Sequence, residues 1–236
     1  MLIGADASQL EWRTILELSQ DQIGIAEVLN GEDTHSLNQV AFNLPSRLIS
    51  KIYLFRTIFR GTGYSFSVDP NFMHVSSDAA YWDNVNKLFY EKYKGIDDCH
   101  NNWKIQVFNG QPIVGPLGRF WKIEPFNQYG KINWSVFTNY PVQGTGADVM
   151  ALARVSFKNK LRKAGLSNVV LLVSSVHDSI VVDAPSQYLH DVAKLFFETF
   201  KDLQVNIKKV FDYDWKVPLA CEVKHGPNMK EMVKYV

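Results

Sequence analysis

Cysteine is scarce. Cys99 and Cys221 are the only two in 236 residues, and neither sits in a C-x-x-C pair. No disulfide framework or cysteine zinc site can be assembled from them, which points to a reducing compartment. Long apolar runs are missing too: none exceeds Val169–Val173, far short of the roughly eighteen residues of a membrane span. The opening MLIGADASQL has neither a basic n-region nor an apolar h-region, so no secretory signal is expected. An excess of either charge is also lacking, with 25 Lys and Arg against 24 Asp and Glu. At 46% hydrophobic and 21% charged residues, the chain is not a disordered one. Its length suits one large or two small globular domains with a sizeable core.

A balanced total can hide a local patch, and it is the patch that binds phosphate. Between Arg47 and Val68 the chain carries Arg47, Lys51, Arg56 and Arg60, no acid, and the rings of Tyr53, Phe55, Phe59, Tyr64 and Phe66. Cations interleaved with aromatics can grip phosphates and stack bases. A merely solvated helix face has the same composition, so the patch alone decides nothing.

No repeat or low-complexity tract is present. Residues 1–7 read as a short strand ending near Asp6, and a helical pattern with Leu10, Ile15, Leu16 and Leu18 on one face follows. Residues 21–43 suggest shorter helical pieces broken by the polar turn at 30–33. A helix is predicted after Pro45, running to about Arg60 and stopped by Gly61-Thr62-Gly63. Another is predicted over 79–93, with a hairpin over 110–116 and a long amphipathic helix over 144–164. Val169–Ser175 and Ile180–Val182 are β-branched runs around a polar Val176-His177-Asp178-Ser179 tip, the pattern of a hairpin. A helix over about 188–201 and a strand near 219–224 complete an α+β order.

Three groups of residues are candidates for chemistry. Asp6 and Asp178 each end an apolar β-like segment. Two carboxylates held close bind Mg²⁺, which keeps several waters and takes its remaining ligands from substrate phosphates. Such a pair supports in-line nucleotidyl transfer, one ion acidifying the attacking hydroxyl and the other neutralising the leaving pyrophosphate. A strand-end Asp is more commonly a cap or turn residue, and Ser8-Gln9-Leu10-Glu11 fits a capping box. Spacing alone therefore assigns no metal site. Arg47, Lys51, Phe55 and Phe59 recur every fourth position and form one stripe along a helix. Cations at the helix start could grip a polyphosphate and the rings beyond could stack on a base; the same pattern also fits two rings buried in a core. Asn139 and Gln143 carry amides able to probe the minor-groove acceptors that every base pair offers, or to serve as turn and cap residues.

In sequence order these pieces resemble the family A DNA polymerases, the bacterial DNA polymerase I type in its phage-like forms. Asp6–Arg13 (DASQLEWR) is similar to D-x-S-Q-x-E-x-R, and Gly31–His35 (GEDTH) to G-x-D-x-H. Arg47–Phe59 is similar to R-x3-K-x3-F/Y-x3-Y, and Asn139–Asp148 (NYPVQGTGAD) to N-x-P-x-Q-G-T-A-A-D. Val176-His177-Asp178 resembles the V-H-D-E tip, and Glu222–Asn228 (EVKHGPN) the closing E-V-x-x-G-x-N. The resemblance spans nearly the whole chain.

What it implies is a palm, an antiparallel sheet with packing helices, over 1–19 and 132–236, with a mainly helical fingers insertion over 20–131. The implied activity is template-directed transfer of dNMP from a dNTP to a primer 3′-hydroxyl, with two Mg²⁺ for which Mn²⁺ can substitute. Asp6 and Asp178 become the metal carboxylates, with the Ala7 carbonyl as a further ligand. Arg47, Lys51 and His35 contact the triphosphate, and Lys51 is also a candidate to protonate the leaving group. Phe55 and Phe59 line the nucleotide, and Glu11 closes the space beside the sugar 2′ carbon. Asn139, Gln143, His177 and Arg60 meet the primer–template. Primer–template DNA and dNTP are the implied partners, and the setting is the cytoplasm of a bacterial host.

Several positions depart from the family pattern. Phe59-Arg60 stands for Tyr-Gly, Arg56 for a small residue, Ser179 for the Glu after the tip aspartate, Gly146 for Ala and Met229 for Trp. The chain opens at the first catalytic motif, so exonuclease, thumb and the leading palm are expected elsewhere: either this is a fragment of a longer polymerase, or the enzyme is split and an N-terminal polypeptide supplies them. Two other functions remain open on the sequence: a catalytically silent nucleic-acid-binding or assembly subunit, and RNA synthesis on the same palm plan. The intact Asp6 and Asp178 oppose the first, and Glu11 with Phe55 opposes the second.

Overall fold

The computed structural model describes residues 1–236 and combines helices with antiparallel sheet, the α+β class implied by the sequence. In chain order the elements are β1 (Leu2–Ala7), α1 (Leu10–Ser19), α2 (Gln22–Leu29), α3 (Thr34–Ala41), α4 (Arg47–Thr57), α5 (Gly63–Ser67), α6 (Ala79–Lys92) and α7 (Lys94–Phe108). They continue with β2 (Ile113–Val114), β3 (Phe120–Trp121), α8 (Trp134–Lys163), β4 (Leu171–Ser174), β5 (Ser179–Asp183), α9 (Leu189–Lys201), α10 (Leu203–Phe211), β6 (Cys221–Gly226) and β7 (Val233–Lys234). Contacts divide the chain into one unit of Met1–Leu10 with Gly144–Val236 and another of Glu11–Gln143. No helix is long and apolar enough to cross a membrane.

In the first unit, five strands form one antiparallel sheet in the order β4-β5-β1-β6-β7. β1 is central, and its period-two pattern buries Ile3, Ala5 and Ala7 while Asp6 is exposed. Its register sets Ala5 opposite Ile180 and Asp6 opposite Ser179 on one side. On the other side Asp6 faces Glu222 and Ala7 faces Cys221. Val192, Ala193, Phe196 and Phe200 form the buried face of α9, and the Phe196 ring stacks on Phe157 of α8 at 4.0 Å. Each such buried apolar side chain contributes about 1.5–3 kcal/mol.

The second unit is organised around rings. Ile49, Ser50, Tyr53, Leu54 and Thr57 are the buried face of α4. Tyr53 and Trp82 stack at 6.1 Å, and Trp82 lies 5.4 Å from Phe66 and 5.2 Å from Phe72. The Trp82 indole donates to the Ser76 carbonyl at 2.8 Å, and the Tyr53 hydroxyl to Asn86 at 3.0 Å, so both rings bury their polar tips satisfied. Beside this cluster Lys92 pairs with Glu27 at 2.8 Å, and the Tyr93 hydroxyl lies 2.8 Å from Glu27 and 2.7 Å from Asn38. A buried network with these partners fixes one arrangement of α2, α3 and α6.

Several elements differ from the sequence-based expectation. The long helix starts at Trp134, ten residues before the predicted 144, and contains Pro141. Proline removes one intrahelical bond, but Phe137, Val142, Val149, Ala153, Phe157 and Leu161 continue one buried stripe through it, and that burial outweighs the lost bond. The short hairpin lies over 113–121 rather than 110–116: Ile113 and Val114 pair with Trp121 and Phe120, so the predicted segment supplies only its first strand and the start of its turn. α7 begins almost where α6 ends. There the Gly95 N–H donates to Asp21 at 2.8 Å, and a side chain on Gly95 would collide with Asp21. That contact, distant in sequence, resets the chain and starts a new helix. α1 begins at Leu10, two residues after Ser8, and Gln9 between them has φ 53.

Candidate active site

In the first unit the sheet register brings two of the candidate carboxylates to neighbouring strand ends. Asp6 is the penultimate residue of β1, and Asp178 immediately precedes β5 at the end of the β4–β5 tip. The Ala7 N–H donates to the Asp178 carbonyl at 2.8 Å, so the two backbones are bonded one residue from Asp6. His177 has φ 51, a left-handed conformation that tightens the tip. Ser179, which stands for an expected glutamate, is used differently: its hydroxyl donates to the Val176 carbonyl at 2.8 Å. The Ser175 hydroxyl donates to the Ser179 carbonyl at 3.1 Å and accepts from Arg154 at 2.9 Å. The tip is thus braced from both sides. Burial, with the Asp6 carboxylate adding to it, pushes the Cys221 thiol up to about 12, so it remains a protonated neighbour at neutral pH.

No group of three His, Cys, Asp or Glu side chains converges on a possible metal position. A pair of oxygen donors at an open strand end nevertheless fits Mg²⁺, which binds through one or two carboxylates and fills its shell with water and phosphate oxygens. It would not fit a structural zinc, which needs a closed set of four ligands.

In the second unit the sequence stripe is a real face. Arg47 and Lys51 are exposed, Phe55 and Phe59 are half-buried, and the core is made by the other side of α4. The helix is started by Ser46, whose hydroxyl accepts the Ile49 N–H at 3.2 Å. It ends in a Schellman-type turn: the Gly61 N–H donates to the Arg56 carbonyl at 3.0 Å, and the Arg60 N–H to Thr57 at 2.9 Å. That turn places Arg60 at φ 60, where glycine is favoured.

His35 lies on α3 with its ring 6.2 Å from Phe55. Burial, Arg47 and Lys51 lower its pKa while Asp33 raises it, so the imidazole is held toward its neutral form. Arg47, Lys51, His35 and Phe55 therefore form one constellation on α3 and α4. Asp33 was not among the sequence candidates, although it belongs to the GEDTH segment. It grips Arg47 through both oxygens, at 2.6 Å to Nε and 2.9 Å to Nη2.

The remaining candidates are dispersed. Gln143 donates its amide to Glu11 at 3.3 Å, and Asn139 lies one turn earlier on α8. Arg60 is held internally: it pairs with Asp97 at 2.5 Å, and its guanidinium lies 4.1 Å from the Tyr90 ring centre and 4.8 Å from that of Trp134. The primer–template role expected for Arg60 competes with these partners. Arg56 is used likewise, paired with Asp69 at 2.5 Å and lying over Phe66 and Phe72.

The model of DNA polymerase family A matches residues 1–231. The chain belongs to that family. It is 28% identical to DNA polymerase I of Caldicellulosiruptor bescii over 98% of this chain and 27% of that protein. It is 26% identical to DNA polymerase I of Chloroflexus aurantiacus, over 98% of this chain and 24% of that one. The fold matches the POL domain of Pol1 from M. smegmatis, a structure in complex with DNA primer-template and dNTP. The TM-score is 0.79 at 21% identity, covering 95% of this chain and 39% of that one. The family A chain thus spans about a quarter of the length of these two curated relatives.

Proposed function

We propose that this family A chain performs template-directed DNA synthesis, transferring dNMP from a dNTP to a primer 3′-hydroxyl. The observation that carries the reading is the pairing of the Asp6 and Asp178 strand ends through the Ala7 N–H. In this reading β1 with the β4–β5 hairpin is palm and α2–α7 are fingers. Asp6 and Asp178, with the Ala7 carbonyl, would hold divalent ions, Mg²⁺ or Mn²⁺. When bound, such ions acidify the primer hydroxyl and neutralise charge on the leaving pyrophosphate.

The chain's own residues supply the rest. Arg47, Lys51 and His35 bind and orient the triphosphate; Lys51, a mobile ammonium on the open face of α4, also gives a proton to the leaving group. A neutral His35 can donate one hydrogen bond to a phosphate oxygen without adding a third cation. Phe55 and Phe59 lie against the incoming sugar and base. Glu11, held by Gln143, occupies the space a ribose 2′-hydroxyl would need. Asn139, Gln143 and His177 read the primer–template terminus.

The proposed partners are primer–template DNA, dNTP and a polypeptide supplying thumb and exonuclease. Support for the last comes from β4, an edge of the sheet, where Leu171, Leu172 and Val173 are all exposed, as is Val176 in the tip that follows. A bare edge strand with apolar residues on both faces is normally covered. The relatives' additional length offers a covering segment, whether continuous with this chain or separate from it. The place of action under this reading is the cytoplasm.

The experiment is extension of a labelled primer on a defined template, with dNTP and rNTP in competition. Templated incorporation of dNTP is expected, with rNTP discriminated against by at least roughly 10²-fold, about 2.7 kcal/mol. Thumb contacts to duplex phosphates would hold the primer–template during synthesis, so extension is expected to become more processive when a thumb-bearing polypeptide is added. Primer–template binding without any incorporation in that assembly would favour the silent-subunit reading, and equal use of rNTP would favour RNA synthesis.

A further inference from the structure

Asp33 occupies the N-cap position of α3, where a carboxylate normally accepts N–H groups of its own helix. It makes no such side-chain cap. Its Oδ2 takes the Ser36 hydroxyl and Arg47 Nε, and its Oδ1 takes Arg47 Nη2. The carboxyl is held well below the usual carboxylate range, first by the hydrogen bond from Arg47 and despite its partial burial. Its charge is therefore present at any physiological pH.

An ion pair this open, 55% exposed at Arg47 and 39% at Asp33, adds little to folding stability. Its geometry has a different consequence. The contact uses the side-on edge of the guanidinium, Nε with Nη2, and a planar bidentate fork fixes both rotation and direction. The end-on edge, Nη1 with the second Nη2 hydrogen, is not used in this fork, and its two parallel donors match two oxygens of an oxyanion. A competing carboxylate would more effectively cover the end-on edge.

We propose that Asp33 is a positioning residue for the nucleotide: it locks the Arg47 guanidinium by its side-on edge and so presents the end-on edge to the triphosphate of the incoming dNTP. Ser36 in turn orients the carboxylate, and α3 thereby carries both His35 and the device that aims Arg47. The inference rests on the proposed nucleotide site and adds a residue to it. Without Asp33 the arginine would sample many rotamers, and the ordering entropy of a long side chain would fall on the binding step.

The test is a double-mutant cycle on equilibrium binding of Mg²⁺·dTTP to the full chain, so that catalysis is not needed. Arg47→Ala is expected to weaken binding about tenfold, and Asp33→Ala about threefold to fivefold. The double variant should be no weaker than Arg47→Ala alone, because Asp33 acts only through the arginine. Asp33→Asn, which retains one acceptor for the guanidinium, should fall between wild type and Asp33→Ala; its folding is confirmed by an unchanged thermal transition. Tighter binding by Asp33→Ala would show competition, and unchanged binding or additive losses would remove the positioning role, in each case leaving the nucleotide site intact. If wild type and Arg47→Ala bind Mg²⁺·dTTP equally, the nucleotide site itself falls, and this inference with it.

Discussion

Asp178→Asn is expected to lower primer extension by at least roughly 10³-fold, about 4 kcal/mol of transition-state stabilisation, while primer–template affinity stays unchanged. The substitution is nearly isosteric, so the tip should survive it. What holds the tip is main-chain and serine chemistry: Ala7 to the Asp178 carbonyl, Ser179 to Val176, and Arg154 to Ser175. None of these uses the Asp178 carboxylate. The variant therefore removes one negative oxygen donor and little else, and the loss should appear in kcat rather than in DNA binding. Asp6→Asn should behave alike, because the register puts its side chain at the neighbouring strand end. Extension retained at more than about a tenth of wild type, measured by single-turnover incorporation, would mean that this carboxylate does not hold an ion during the reaction.

Trp82→Ala should have the largest effect on stability, about 3–5 kcal/mol. The indole is fully buried among Tyr53, Phe66 and Phe72 and also loses its bond to the Ser76 carbonyl. Removing it opens a cavity at the centre of the ring cluster that carries α4, so the face bearing Arg47 and Lys51 loses its support. Trp82→Phe, which keeps most of the apolar volume, should cost markedly less. Urea unfolding measures both, and a loss below about 1 kcal/mol for the alanine variant would show that the cluster repacks.

How much of this was legible in the sequence varies by element. The β4–β5 hairpin, α4 and α9 are readable because local signals agree with the fold: β-branched runs around a polar tip, Ser46 after Pro45 at a helix entrance, and one apolar face on α9. α7, α10 and the first ten residues of α8 carry no comparable local signal. Their boundaries depend on tertiary contacts, such as Gly95 on Asp21 and the buried stripe running past Pro141, which local propensity cannot display. For the site, spacing proposed the Arg47–Phe59 stripe but left open whether the rings were buried; the structure puts Phe55 and Phe59 outside the core. The fork between Asp33 and Arg47 crosses the turn at 43–45 and carries no periodic signal. Only the motif containing Asp33 pointed toward it. Arg60 shows the converse: a lone cation in a basic patch looks free in the sequence and is held by Asp97 and two rings in the fold.

The claim beneath all of this is that Asp6 and Asp178 jointly hold divalent ions. Its most direct measurement is electron paramagnetic resonance of Mn²⁺ added to the full chain with dNTP, comparing wild type with Asp6→Asn and Asp178→Asn. Wild type should bind Mn²⁺ beyond the amount taken by dNTP alone, and each single variant should lose that increment while keeping its thermal transition. Equal Mn²⁺ binding by wild type and both variants would contradict a shared site at these two strand ends.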